Sequence, residues 1–188
     1  MKELSLHILD VAENGIAAGA DQIRIAVVEQ RQANRLQIRI EDNGSGISME
    51  QVDRVVDPFY TSRTTRRVGM GLSLLDAAAR QCGGDMRIQS EPGKGTQVDA
   101  QFVYDHIDRA PLGDMAATMT SLILGRPAVD FQYRHRVDGS ELALDTREIR
   151  QAFEGLPVTD PRVFRYIMQT LRSGEERLRR GGQDQWRK

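Results

Sequence analysis

A single cysteine in 188 residues leaves no intrachain disulfide and no cysteine-rich zinc site, and it fits a reducing compartment. Long apolar runs are also missing. The N-terminus lacks the apolar core of a signal peptide, and charges break every later apolar stretch, so a cytoplasmic protein is expected. Neither sign of charge dominates. Twenty-six basic and 27 acidic residues net −1, which gives no reason to expect wholesale nucleic-acid or membrane binding. There is no internal repeat or low-complexity segment. What remains, 39% apolar and 28% charged residues, is the balance of a globular protein with a real core.

Periodicity supplies the elements. Residues 3–18 read as a helix with two apolar stripes, Leu4-Ile8-Val11-Ala18 and Leu6-Leu9-Ile16. Two alternating runs follow, with Ile23, Ile25 and Val27 on one face of the first and Leu36, Ile38 and Ile40 on one face of the second. Ser48 is positioned to cap a short helix over 49–55, and 57–71, rich in Thr, Arg and Gly, reads as a loop. A helix over 71–82 stops at Gly83-Gly84, and strands at 85–90 and 96–104 flank the turn 91–95. After a proline-containing connection at 105–113, the pattern predicts a helix at 114–124, a hairpin around Asp138-Gly139, and helices at 146–154 and 161–180, the last opened by Asp160-Pro161. This division gives residues 1–105 and a C-terminal α+β extension, 106–188. The extension either folds as an appendage or, through Phe131 and Tyr133, extends the first sheet.

Four features carry chemistry. Glu3, His7, Asp10 and Asn14 form a polar row on the first helix, and Asp10 and Asn14 are oxygen donors of the kind Mg²⁺ takes alongside phosphates. Alone, that row is better read as a solvated helix face. Asp42 shares the parity of Leu36, Ile38 and Ile40, so its carboxylate points inward, where it can accept a hydrogen bond from an exocyclic amine; Gly44 and Gly46 let the backbone pass close to a planar base. The bland alternative is a hairpin turn at Asn43-Gly44. Val68-Gly69-Met70-Gly71-Leu72 leads straight into a helix, whose N-terminus offers N–H groups to phosphate, with Arg63, Arg66 and Arg67 upstream; alone it is a flexible turn. Gly93-Lys94-Gly95-Thr96 by itself is a turn.

Order and spacing say more than any one feature. Asp10-x-x-Glu13-Asn14, Asp42-x-Gly44-x-Gly46, Asp57-Pro58-Phe59-Tyr60, Gly69-x-Gly71-Leu72 and Gly93-x-Gly95-Thr96 resemble the N box, first glycine box, F box and two later glycine boxes of the GHKL superfamily. That group includes histidine kinases, anti-sigma-factor kinases, DNA gyrase, MutL-type mismatch-repair proteins and a heat-shock chaperone family. The run 57–63, the short lid and 91–96 look most like the catalytic domain of sensor histidine kinases. The run 9–15 followed by 18–20 looks like the N box of MutL-type ATPases, which carry a glutamate general base where this chain has the shorter Asp10.

The resemblance implies an α+β fold of the Bergerat type, a two-layer sandwich of a mixed sheet with helices on one face. It implies that Asn14 ligates Mg²⁺, that Asp42 binds the adenine amine of ATP, and that Gly44 and Gly46 shape the base pocket with Thr96 nearby through water. Gly69, Gly71 and Leu72 would close over the phosphates, and Asp10 would be the catalytic carboxylate.

A standard histidine kinase carries its phosphorylated histidine on a dimerising hairpin before this domain. Here the N box lies within the first dozen residues, so that hairpin is not expected. None of His7, His106 and His135 stands in a phosphoacceptor motif. Two readings remain: a stand-alone kinase-like module that phosphorylates a protein partner, or a nucleotide-controlled binding switch with slow ATPase activity. A homodimer through the region after 105 is open. DNA binding through 146–172 and the basic tail (Arg177, Arg179, Arg180, Arg187, Lys188) is the lesser expectation, because Glu175 and Glu176 dilute the charge.

Overall fold

The computed structural model describes residues 2–48, 50–52 and 70–184. Helix α1 (Leu4–Ala17) is followed by strands β1 (Gln22–Gln30) and β2 (Arg35–Asp42), helix α2 (Met70–Gln81) and strands β3 (Asp85–Glu91) and β4 (Gly95–Val103). Helix α3 (Met115–Gly125), strands β5 (Asp130–Val137) and β6 (Ser140–Asp145), and helices α4 (Thr146–Ala152) and α5 (Pro161–Asp184) complete the chain.

All six strands form one sheet, ordered β3-β4-β2-β1-β5-β6. Every neighbouring pair is antiparallel except β1 and β5, which run parallel from Gln22 opposite Asp130 to Glu29 opposite Val137. Phe131 and Tyr133 therefore extend the sheet begun by the first strands, and residues on both sides of position 105 share one core. Alternation decides the faces. Ile25 lies beside Ile40 on one side and Tyr133 on the other, and all three are enclosed under the helices. Each such side chain contributes roughly 1.5–3 kcal/mol of transfer free energy. The opposite parity is polar and open, with arginines set against carboxylates, as in Arg24–Glu41, Arg39–Asp99 and Arg134–Glu141.

The helix ends follow local chemistry. At Ser48 the Gln51 side chain accepts the Ser48 N–H at 3.1 Å, while the Gln51 and Val52 N–H groups reach the Ser48 carbonyl. Gly83, at φ 67°, ends α2, and Gly84 N–H returns to the Ala79 carbonyl. Asp114, Asp145 and Asp160 each accept a backbone N–H at the starts of α3, α4 and α5. On α1 the stripe through Leu4, Ile8 and Val11 is buried, whereas Leu6 on the second stripe is exposed and Leu9 and Ile16 are only partly covered. Among the described residues, no helix is long and apolar enough to cross a membrane.

A buried polar cluster ties α5 to the sheet. His135 on β5 sits between two carboxylates: its Nε2 is 3.0 Å from Glu29 of β1 and its Nδ1 is 3.0 Å from Glu175 of α5. Tyr133 donates to the same Glu175 at 2.7 Å. Burial alone would depress the His135 pKa, but hydrogen bonds and charge from Glu175 and Glu29 outweigh it and raise it from 6.5 to about 9. The charged imidazolium is therefore the folded-state form at neutral pH. A raised folded pKa gives stability that is complete below about 6.5 and is lost as pH climbs through about 9. That window is worth roughly 3 kcal/mol. The thermal midpoint should fall as pH rises across it, and His135→Gln should be less stable at neutral pH and lack that fall. A wild-type midpoint that stays level across the window would show that His135 is not held charged.

Candidate nucleotide-binding site

Asp42 ends β2, and its side chain takes the inward parity that the alternation assigns. It lies directly under α1, because Gly15 presents no side chain there: a Cβ at Gly15 would stand 2.7 Å from Asp42 Cβ. The Asp42 carboxylate accepts the Gly44 N–H at 2.9 Å. Burial pushes its pKa up, against the lowering effect of the Gly44 and Thr96 N–H groups. The group is half-buried and held by backbone donors, with no cation paired to it among the described residues. A carboxylate so placed can accept another hydrogen bond from a ligand.

The residues after Asp42 do not form a hairpin. Asn43 folds back onto the start of β1, where its side-chain oxygen accepts the Asp21 and Gln22 N–H groups at 3.1 and 2.9 Å. Ser45 N–H reaches the Ala18 carbonyl, and the Ser45 carbonyl accepts from Gly93 N–H in the β3–β4 turn. Gly46 threads this gap at φ 62°, where a Cβ would be 2.1 Å from the Glu91 carbonyl oxygen. The segment thus bridges the end of α1 and the β3–β4 turn, and Asp42, Gly44 and Thr96 meet there. Ser90 belongs to the same cluster: its hydroxyl lies 2.9 Å from Thr96 Oγ1 and accepts the Ile47 N–H at 2.9 Å.

Asp10 and Asn14 lie on α1, one turn apart. Asp10 is exposed and Asn14 half-buried, while His7 in the same row is enclosed, its pKa depressed by burial and its Nδ1 without a hydrogen-bond partner among the described residues. The row is therefore no uniformly solvated face. The start of α2 comes against Asp10, since a Cβ at Gly71 would be 3.1 Å from Asp10 Cβ. Leu72 is buried beneath it. Gly69 and the remainder of 53–69, including Asp57-Pro58-Phe59-Tyr60, Arg63, Arg66 and Arg67, lie outside the described residues.

A hollow of about 510 Å³ opens at this end of the sheet, lined by Asp42, Ser90 and Thr96 together with Arg24, Glu41 and Gln97. The hollow therefore takes in side chains of both parities and adjoins the Asp42 cluster at the strand ends. Sequence reasoning missed Gly15 and Ser90. Gly15 carries no periodic signal, although it stands beside Asn14; Ser90 was legible only as an inward parity position on β3.

The model of the histidine kinase-, DNA gyrase B- and HSP90-like ATPases matches residues 2–105. Sporulation kinase D of Bacillus subtilis is 33% identical over 48% of this chain and 18% of its own length. Sensor protein kinase FleS of Pseudomonas aeruginosa is 34% identical over 56% of this chain and 25% of its own. The chain thus spans a quarter or less of these two relatives. The fold is also that of the Aquifex aeolicus MutL ATPase domain complexed with ADP, at a TM-score of 0.50 and 18% identity, covering 82% of this chain and 70% of that one. With more than half of its residues matched, the chain belongs to the histidine kinase-, DNA gyrase B- and HSP90-like ATPase family.

Proposed function

We propose that this protein binds ATP with Mg²⁺ and acts as a stand-alone kinase-like module on a partner protein. In this reading residues 1–105 supply the nucleotide chemistry and 106–188 a surface for that partner or for a second copy. The observation that carries it is the inward, half-buried Asp42 carboxylate, set beneath Gly15 and supported by the Gly44 N–H. It would accept the exocyclic amine of adenine, with Gly44 and Gly46 beside the base and Thr96 nearby through water. The donor set fits magnesium: Asn14 supplies an amide oxygen on α1 and Asp10 a carboxylate one turn away. Bound there, Mg²⁺ would offset phosphate charge. Gly69, Gly71 and Leu72 would place the N-terminus of α2 against the phosphates.

An acceptor on another protein draws support from two of the three histidines, while His106 is partly exposed. His7 and His135 are both enclosed, and His135 is committed to two carboxylates. The second reading, a nucleotide-controlled binding switch with slow ATPase activity, draws on Asp10. That carboxylate is one methylene shorter than a glutamate, and a general base must come within about 3 Å of the attacking water, directly or through another water.

The site predictions follow from these roles. Asn14→Ala should abolish Mg²⁺-dependent ATP binding in calorimetry without lowering the thermal midpoint; unchanged affinity removes Asn14 from the metal site. Asp42→Ala should cost ATP affinity about tenfold to a hundredfold, the worth of a charge-assisted hydrogen bond. Gly15→Val, which drives side-chain atoms into Asp42, should weaken ATP binding similarly, and a variant that binds normally would mean that Asp42 tolerates displacement. Incubation of the protein with γ-labelled ATP and cell lysate should transfer label to a protein acceptor. Slow hydrolysis with no labelled protein, accelerated in Asp10→Glu, would favour the switch over the kinase.

A further inference from the structure

The outward face of α5 is an arginine ridge. Arg162, Arg165, Arg172, Arg177, Arg179 and Arg180 are all exposed, against one exposed acid among the helix residues whose side chains are described, Glu176. The sequence suggested that Glu175 and Glu176 dilute this charge, but Glu175 points inward to His135 and Tyr133 and contributes nothing outside. Glu176 lies 4.0 Å from Arg180, Arg162 is paired with Asp160, and Arg177 reaches the Glu141 carbonyl. Among the described residues, Arg165, Arg172 and Arg179 have no ion pair. They recur every seven residues, so they share one side of the helix at intervals of about 10 Å. The arginines of the open sheet face are set against carboxylates instead, as in Arg39–Asp99, Arg87–Asp85 and Arg134–Glu141.

We propose that this ridge docks the phosphate backbone of duplex DNA, in reversal of the expectation from net charge. Guanidinium groups suit phosphate because their planar fork can donate two hydrogen bonds to one anion. A span of about 21 Å from Arg165 to Arg179 matches roughly six base-pair steps of a duplex. The apolar residues Val163, Ile167, Leu171 and Leu178 are all spent on the core, leaving Tyr166 as the large exposed hydrophobe among the described residues of α5. The ridge thus lacks the apolar cluster that anchors a protein partner or enters a lipid surface. Contacts of this kind fix position on the duplex and read no sequence.

The test is fluorescence anisotropy of a labelled 20-base-pair duplex of mixed sequence, titrated with the full chain at several salt concentrations. Three phosphate contacts predict an affinity that falls about 40-fold between about 50 and 200 mM salt. The variant R165Q/R172Q/R179Q should lose most of the affinity and flatten the slope of log K against log salt by about 3. The equal-charge control R39Q/R87Q/R134Q, on the open sheet face, should bind like wild type, and circular dichroism midpoints check the fold of both. The proposal is overturned if the duplex does not bind at about 50 mM salt, if the ridge variant binds like wild type, or if the control loses as much. It is also overturned if polyglutamate or phosphatidylserine vesicles bind in the same assay and the duplex does not. Because this readout does not involve ATP, failure of the nucleotide site leaves it intact.

Discussion

The contact between Asp42 and Gly15 is the constraint on which the site depends. A carboxylate at the inward parity of a buried strand is costly unless something satisfies it. Here the sheet brings it to the last residue of β2, where the backbone turns away and its own Gly44 N–H can serve it. A methyl group on Gly15 would collide with it, so helix α1 can pass over this acid only because position 15 is bare. The same helix carries Asp10 and Asn14, so one close approach sets the polar row in relation to the acid beneath it. The bridge through Gly46 then locks the floor to the β3–β4 turn, which brings Thr96 and Ser90 alongside.

The C-terminal half is held by an equally specific device of opposite character. The parallel pairing of β5 with β1 continues the sheet, and the His135 cluster fixes α5 across it. Two carboxylates around one imidazolium form a buried ionic group in which attraction and hydrogen bonds outweigh the desolvation of His135. Turning Glu175 inward also removes an acid from the outer surface of α5. The internal clamp and the outward arginine ridge are therefore two consequences of one side-chain direction.

Much of this was legible in the sequence. Alternation over 23–27 and 36–40 assigned the buried faces, and carrying the parity two residues further placed Asp42 inward before any fold was known. Caps at Ser48, Asp160 and Gly83 stood out because each has a local chemical signature. Contacts between distant residues did not. Gly15 meets Asp42 across 27 positions, and His135 meets Glu29 across 106. No period or cap encodes such pairings, which arise only when the sheet assembles. Gln22 opposite Asp130 is of the same kind, and so the extension of the sheet by Phe131 and Tyr133 stood open beside an independent appendage. Reading Glu175 as a surface acid failed for a related reason: the helical period left its partner, His135, unseen.

The central claim is that Asp42 makes this an adenine-selective site. Inosine triphosphate differs from ATP in replacing the exocyclic amine by a carbonyl, so it presents an acceptor where ATP presents a donor. Calorimetric titration of the wild-type protein with each nucleotide, in excess magnesium at neutral pH, compares these two base edges, which also differ in a proton on N1. The account predicts ATP binding at least about tenfold tighter than inosine triphosphate, the least expected for a charge-assisted hydrogen bond. Equal affinity for the two would contradict it.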